Sequence, residues 1–428
     1  MSRWIWIFKR FTGKLWLRAS LYCLVAILTA LASAYAKRFF PEDFSQKIGA
    51  DAVDSILNII ASSMLAVTTF SLSVMVSAYS AATSNVTPRA TKLLLEDETS
   101  HRALSTFIGS FIFSLVGIIS LKIGLYGASG RVLLFVVTIV VVCLIVITLL
   151  RWIEYLSRLG RVGETIDMVE RASARTLSTY ARMPYLGARP ITDNTPPMPA
   201  QAIGLFCERQ VGYVEYIDVS ELKSLSVRHR LTIHIHALPG KFYDGRQPLG
   251  LVHPVPDDAV MKDLIKCFVI SGSRSFEQDP RFGFMVLSEI ASRALSPAVN
   301  DPGTAIDVLG TQVRLLKNWS NVLESRAETA EAEGYVYMPS IDTGDIFHDA
   351  FSPIAVYGAG AFEVDMRLLK SLAALSYCSD AFRAAARNQA RRALILARES
   401  LALEEDYRIL AAFAEQEWPG ITADSTVD

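Results

Sequence analysis

The chain has 428 residues, 51% of them hydrophobic, and its 42 basic and 43 acidic side chains leave a net charge of −1. That balance provides no basic field to hold nucleic acid and no acidic tail to recruit a charged partner, so neither class of binding is expected. The mean hydropathy of +0.30 comes mostly from the first third, which points to a membrane domain followed by a substantial soluble part.

The first 16 residues, MSRWIWIFKRFTGKLW, interleave Trp4, Trp6, Phe8, Phe11 and Trp16 with Arg3, Lys9, Arg10 and Lys14. Such a mixture suits the headgroup layer, and it predicts an interfacial amphipathic segment over 1–16. A first span is predicted at about 19–36. Its ending, Ala34-Tyr35-Ala36, also fits a small-residue cleavage site. The three further apolar stretches favour an uncleaved anchor.

The second predicted span, about 56–82, lies within the stretch Asp54 to Ser84 and is long enough for the roughly 20 residues a bilayer demands. On a 3.6-residue helix, Asn58, Ser62, Ala66, Thr69, Ser73, Ser77, Ser80 and Ser84 fall along one stripe. Ile59, Leu65, Val67, Phe70, Leu72, Val74 and Met75 cover the other faces. Two readings follow: a packing seam where hydroxylated helices meet, or a wall of a hydrated pathway lined by Asn58, Ser62, Thr69, Ser73 and Ser77. The third span, about 104–124, offers Ser110, Ser114 and Gly117 as a close-packing face. The fourth, about 132–150, is nearly all Val, Ile and Leu and reads as a lipid-facing outer helix.

Flanking cations set the expected orientation. Eleven lie before the first span, between the second and third, and after the fourth, against five on the opposite side. Both termini are therefore expected in the cytoplasm, in a bacterial inner membrane. The four spans make up a predicted membrane domain over 17–153. A helical stalk is expected over 154–182, with Gly160 and Gly163 loosening it, followed by a Pro-rich linker over 183–200.

From 201 to 256 the period changes to two. Strands are predicted at Val211 to Ile217 and Leu231 to Ala237, with a short helix capped by Asp218 between them. The later part of this β-rich module is similar to one repeat of the barrel-sandwich fold of biotinyl and lipoyl carriers, although no lysine sits in a carrier's modification context. His234 and His236 share a face of their expected strand and His253 follows the next, a geometry in which three imidazoles meet at zinc. No Cys or acidic ligand accompanies them at diagnostic spacing, and exposed sheet histidines are commoner, so no metal is expected. The five cysteines (Cys23, Cys143, Cys207, Cys267, Cys378) are scattered, without a disulfide or zinc pattern, as suits a reducing compartment.

The helical region 257–418 contains the most distinctive soluble stretch, SGSRSFEQDPRFGFMVLSEIASRALSPAVNDPGTAIDVL, Ser271 to Leu309. One helix is predicted to end at Ser296-Pro297, and another to start with Asp301 as N-cap and Pro302 at its first position. With ALSPAVNDPGTAID, the RSFEQDPRFG run, the GYVEYID strand and the FIGSFIFSL stretch, the chain resembles the bacterial membrane proteins grouped as domain of unknown function 2254. The resemblance covers nearly the whole chain. It implies a four-span inner-membrane protein with a cytoplasmic C-terminal region, and it implies no activity and no catalytic residues.

Arg274, Gln278, Asp279, Arg293, Asn300, Asp301, Thr304 and Asp307 concentrate polar groups around two helix ends. They read either as structural caps and pairs or as a ligand or subunit-contact site in which guanidinium groups and helix-start N–H groups favour an anion. No phosphate loop, dinucleotide fingerprint, nucleophile elbow or zinc-protease motif occurs, so enzymatic activity is not the expectation, nor is any cofactor. Downstream, Ala327 to Gly334 reads as an acidic helix end or loop and Tyr335 to Met338 as a short strand. Two helices are expected at Ile354 to Cys378 and Asp380 to Gln416, the second capped by Asp380, and a fraying tail at 419–428. Arg383, Arg387, Arg391 and Arg392 form a solvated face, while Glu404, Glu405 and Asp406 are placed to meet a neighbouring subunit.

The expected fold class is thus an integral-membrane α-helical domain of four transmembrane helices, N-in and C-in, then a cytoplasmic α+β domain with a small β module and C-terminal helices. Its expected partners are the lipid bilayer, further copies of the chain and an ion or small solute. Two function classes follow: an oligomeric channel or transporter with a gating cytoplasmic domain, or a membrane-anchored sensor or scaffold.

Overall fold

A computed structural model of the chain describes residues 50–95, 97–123, 128–208, 210–324 and 334–422, together with scattered positions between 20 and 28. These residues form two compact units. One holds the described residues up to Ser84 and the segment Thr91–Glu164; the other holds Thr165 onward with Asn85–Ala90.

In the first unit, α1 (Ala50–Asn85) leads through the short α2 (Pro88–Leu95) to α3 (Glu98–Lys122) and α4 (Ala128–Leu156). Among the described residues three stretches are long and apolar enough to cross a membrane: Ala52–Thr83, Glu98–Lys122 and Gly130–Leu156. Three candidate spans thus stand where four were expected; the remaining one, 19–36, and the amphipathic segment 1–16 fall largely outside the described residues. The middle helix, α3, is the most buried. Its Ser110, Ser114 and Gly117 face inward, and a Cβ on Gly117 would sit 3.0 Å from Leu57 Cδ1 of α1, so glycine lets the helices approach there. Trp152 of α4 donates its Nε1 hydrogen to Ser71 Oγ at 2.9 Å, a buried polar tie between α4 and α1. The outer surface of α4 carries Val136, Val140, Ile147 and Leu150, as a lipid-facing helix requires.

The expected stalk does not continue the membrane helix. Gly160 takes φ +85°, a left-handed conformation that ends the helix, and its backbone lies against Ala78, where a Cβ would be 3.3 Å from the carbonyl oxygen. A new helix, α5 (Val162–Arg182), starts beyond it.

The second unit combines two sheets with a helical bundle. Part of the Pro-rich stretch 183–200 is built into it: Leu186 and Ala188 are buried, and β1 (Arg189–Pro190) pairs in parallel with β8 (Val336–Met338). The remaining β elements are β2 (Ile203–Leu205), β3 (Gly212–Ile217), β4 (Thr232–Ile235), β5 (Phe242–Tyr243), β6 (Gly250–His253) and β7 (Phe268–Ser271). They form a five-stranded sheet ordered β1-β8-β4-β6-β2 and a three-stranded sheet ordered β5-β3-β7. Strands from outside 201–256, with parallel pairs and two helices, replace the small sandwich repeat expected. These helices are α6 (Val219–His229), whose N-cap Asp218 accepts from Glu221 N at 3.1 Å, and α7 (Asp258–Lys266). Ile233, Ile235, Val252, Leu205 and Leu222 fill the core between sheet and helices.

The bundle comprises α8 (Pro280–Ala294), α9 (Pro302–Glu324), α10 (Thr343–Gly358), α11 (Phe362–Ser376), α12 (Asp380–Ser400) and α13 (Glu404–Glu417). Each of the two long helices expected here is broken. The first breaks at Gly358-Ala359-Gly360. The second breaks at Leu401-Ala402-Leu403, which contains neither Gly nor Pro. Ser379, not Asp380, caps α12, its hydroxyl accepting from Phe382 N at 3.2 Å. Residues 327–333 and 423–428 lie outside the described residues; within the expected tail, Ile421 is fully buried.

Candidate functional site

Helix α1 divides into two faces. Val53, Leu57, Ile60, Ala61, Met64, Ser71 and Met75 are buried within its unit. Asn58, Ser62, Thr69, Ser73 and Ser77 are all exposed. Among the described residues, therefore, the hydroxyl stripe is not the face that packs α1 onto α3 and α4. Three of its hydroxyls are satisfied locally: Ser62 Oγ donates to Asn58 O at 2.9 Å, Thr69 Oγ1 to Leu65 O at 2.9 Å and Ser77 Oγ to Ser73 O at 3.0 Å. Hydroxyls bonded in this way cost little in lipid, so they do not by themselves demand water. Asp54 is the residue that sequence reasoning passed over. Asn58 Nδ2 donates to its carbonyl at 2.9 Å and to its Oδ2 at 3.2 Å, and Oδ1 is buried without a hydrogen-bond partner. A carboxylate and a carboxamide thus stand together at the first turns of the span, a costly pair in hydrocarbon and a stable one at a wet mouth. An acid one turn before an amide in an otherwise apolar helix was the available signal.

The polar cluster around the RSFEQDPRFG and SPAVNDP motifs separates into two places. Helix α8, with 15 residues, puts roughly 20 Å between its ends, so Arg274, Gln278 and Asp279 lie far from Arg293, Asn300, Asp301 and Thr304. At the first end Asp279 is 3% exposed and accepts from Arg274 Nε at 2.6 Å, Arg274 Nη2 at 3.0 Å, Arg281 N at 3.1 Å and Phe282 N at 3.2 Å. It is at once the N-cap of α8 and half of a bidentate ion pair. Burial raises its pKa, against the opposing pull of Arg274 and the two backbone N–H groups. Gln278 does the work of a strand residue: it accepts from Ile217 N at 2.8 Å and donates to Ile217 O at 3.2 Å, fastening the motif to β3. Gly240, at φ +86°, closes over the carboxylate, where a Cβ would lie 2.1 Å from Asp279 Oδ2.

At the far end of α8 the chain turns through an exposed knuckle. Asn300 takes φ +51°, a left-handed conformation that asparagine tolerates, and Asp301 N donates to Ala294 O at 2.8 Å. Asp301 Oδ1 accepts from Thr304 N at 3.1 Å and Oδ2 from Thr304 Oγ1 at 2.6 Å, which holds its carboxyl below the usual range. Both helix starts are therefore occupied by the chain's own carboxylates, which leaves an external anion little positive field at either. Exposed Arg293 lies in the last turn of α8, where a cation suits the helix dipole. Asp301→Ala should destabilise the protein by about 0.5–2 kcal/mol and Asp301→Ser should recover most of that, measured by chemical unfolding. The benefit is present above the carboxyl's unfolded pKa and is lost as pH falls through the depressed folded value. An Asp301→Ser protein of normal stability without function would assign the residue a contact role instead.

The three histidines do not meet. His234 is buried on β4, its ring 4.9 Å from that of Tyr337, with Nε2 unpartnered and its pKa lowered by burial. His236 lies past the end of β4 and is exposed, whereas His253 stands opposite Thr232 in the strand register. Among the described residues no group of three His, Cys, Asp or Glu side chains is placed to hold a metal. The four described cysteines, Cys143, Cys207, Cys267 and Cys378, are free.

Several contacts in the bundle were not legible in advance. Arg281 reaches Asp349 at 2.7 Å and also pairs with Asp345, clamping α8 to α10. Ser288 donates to Asp349 O at 2.8 Å and accepts from Gln312 Nε2 at 3.0 Å. Ser352 Oγ lies 3.0 Å from His348 Nδ1, but this hydroxyl is buried and donates to Gln389 Oε1 at 2.9 Å, so it is committed to packing rather than poised as a nucleophile.

Comparison with known proteins fits a membrane protein. The matched chains include uncharacterized proteins Mb1321c of Mycobacterium bovis and Rv1290c of Mycobacterium tuberculosis, each 30% identical over 195 residues. That match covers 42% of this chain and 36% of either relative, so it spans little more than a third of the relatives' length. No solved structure matches the chain. The family model described as "Predicted membrane protein (DUF2254)" matches residues 12–374, and on that extent the chain belongs to this family of predicted membrane proteins.

Proposed function

We propose that the chain works as an oligomer in the bacterial inner membrane, with its C-terminal unit in the cytoplasm, and that the exposed face of α1 lines a hydrated path for a small ion or solute. The observation that carries this reading is the placement of Asn58, Ser62, Thr69, Ser73 and Ser77 on the uncovered face of α1, with the Asp54–Asn58 pair at one end of it. One chain supplies a single such wall, and only copies arranged about an axis would enclose a path. A membrane-anchored scaffold is the second reading. It draws on the hydroxyls' bonds to their own helix, which let the stripe face lipid.

The experiment is cysteine labelling in native membranes, after replacement of Cys23 and Cys143. Cysteines at Ser62, Thr69, Ser73 and Ser77 should react with small water-soluble thiol reagents, and cysteines at Val67 or Val74 should not. In liposomes Ser73→Leu should lower flux while assembly persists, because it narrows a polar passage and removes a hydroxyl. Unreactive stripe cysteines and no flux under any gradient would leave the scaffold reading.

A further inference from the structure

One face of the β-rich part of the globular unit combines cations with exposed apolar side chains. Lys223 and Val227 stand one turn apart on α6, and exposed Arg228 and Arg230 follow at the end of the helix. Gly334 lies against this turn, since a Cβ there would be 3.5 Å from Lys223 O and 3.6 Å from Val227 Cγ2. The next residue, Tyr335, therefore borders the same face. It is 54% exposed and Val227 is 60% exposed, and the guanidinium of Arg189 lies 5.5 Å from the centre of the tyrosine ring.

The backbone beneath these side chains is fixed. Buried Ser226 donates to Leu231 O at 2.7 Å and accepts from Tyr335 N at 3.0 Å, while Tyr335 O accepts from Ile233 N of β4 at 2.8 Å. The helix dipole accounts for a cation in the last turn of α6, but it asks for no exposed valine or tyrosine beside it. Among the described residues, Lys223, Arg228 and Arg230 make no ion pair. Of the acids nearby, Asp263 of α7 is paired with Lys266 at 2.8 Å, and Glu221 lies in the first turn of α6, about two turns before Arg228.

Cations set beside an aliphatic side chain and an amphipathic ring match the headgroup layer of a membrane, where phosphates meet the charges and the apolar groups reach the acyl boundary. A free phosphate would leave Val227 and Tyr335 unused, and a second copy of the same face would bring like charges together. The chain belongs to a family of predicted membrane proteins, so a bilayer is at hand. We propose that the face bearing Lys223, Val227, Arg228, Arg230 and Tyr335 binds the surface of an anionic bilayer, with its cations on phospholipid phosphates and Val227 and Tyr335 at the acyl boundary. The inference needs a membrane protein only, and it holds whether or not α1 lines a path.

The test uses full-length protein in nanodiscs of phosphatidylcholine, alone or with about 30% phosphatidylglycerol, and an uncharged thiol reagent. With Cys23, Cys143 and Cys378 replaced, Val227→Cys should react at least about fivefold more slowly in the anionic discs, and raising salt from about 0.1 M to about 0.5 M should remove most of that protection. Lys223→Gln with Arg228→Gln and Arg230→Gln should abolish it. Buried Cys207 and Cys267, unreactive in folded protein, report that this variant is folded, and the salt arm needs no variant. Tyr377→Cys, exposed at the end of α11, should react alike in both discs. Equal rates for Val227→Cys in the two discs, protection that high salt leaves intact, or protection that survives in the triple variant would each overturn the proposal. So would slow labelling in both discs, which would mean that protein, whether residues 327–333 or another chain, covers the face. Protection of Tyr377→Cys as strong as that of Val227→Cys would also overturn it, because the lipid would then act on the whole unit rather than on this face.

Discussion

Asp365→Asn should make the globular unit markedly more stable above neutral pH and should remove most of the pH dependence of its stability between about pH 4 and 8. Asp365 lies in the first turn of α11, is 1% exposed, and has neither carboxylate oxygen hydrogen-bonded. Its pKa is pushed up to about 8, first by burial and then by repulsion from Glu363 of the same helix. The start of a helix favours a carboxylate by only about 0.3–1 kcal/mol, far less than desolvation costs it, so burial wins. Because the folded pKa exceeds the unfolded value, the folded state binds more protons between the two. The contribution to stability is fully present below about pH 4 and is lost as pH rises towards 8. A shift of about 4 units at about 1.4 kcal/mol each puts the ceiling near 5–6 kcal/mol, and relaxation of the site will return less. Asn keeps the shape and cannot ionise, so wild type and variant should nearly coincide near pH 4 and separate by a few kcal/mol at pH 8.5 in urea unfolding. A wild-type curve that is flat over that range would show that the carboxyl finds water or a cation.

What could be read in advance follows from which forces are local. The apolar runs of α1, α3 and α4 exceed bilayer thickness, and a property summed over 20 residues survives any tertiary context. The caps at Asp218 and Asp301 were legible for a similar reason, since a cap is a bond within three residues. The break at Leu401-Ala402-Leu403 was not: no Gly or Pro marks it, and the chain turns there because α13 packs back onto the bundle. The exposure of the α1 stripe was also invisible, because a helical wheel gives faces but not which face a neighbour covers. The cluster around α8 failed on length alone. Closeness in sequence suggested one site, and 15 residues of helix made two. Distant pairings such as Gln278 with Ile217 and Arg281 with Asp349 depend on the finished fold and leave no local pattern.

Asp279→Asn should be the most damaging single substitution at the RSFEQDPRFG motif. The amide keeps an oxygen to cap α8 but leaves the guanidinium of Arg274, only 15% exposed, without its counter-charge. Removing one partner of a buried pair typically costs about 3–5 kcal/mol, mostly the desolvation of the charge left behind, against about 1 kcal/mol for a cap alone. Arg274 has modest alternatives, since its other contacts are the face of Phe282, 5.4 Å away, and the sulfur of Met285 at 3.4 Å. Gly240→Ala should be comparably damaging by a different route, because its Cβ would lie 2.1 Å from Asp279 Oδ2 at a backbone angle that alanine resists. The two causes can be separated. Replacing both charges, Arg274→Met with Asp279→Ser, retains a capping hydroxyl and leaves no buried ion, so it should recover most of the stability lost in Asp279→Asn, whereas Arg274→Met should not rescue Gly240→Ala. Urea unfolding of the four proteins, followed by tryptophan fluorescence, decides the matter. An Asp279→Asn protein within about 1 kcal/mol of wild type would mean that the pair adds nothing to folding. The motif's concentration of charge would then call for a ligand-binding explanation in place of the fastening of α8 to β3 through Gln278 and Ile217.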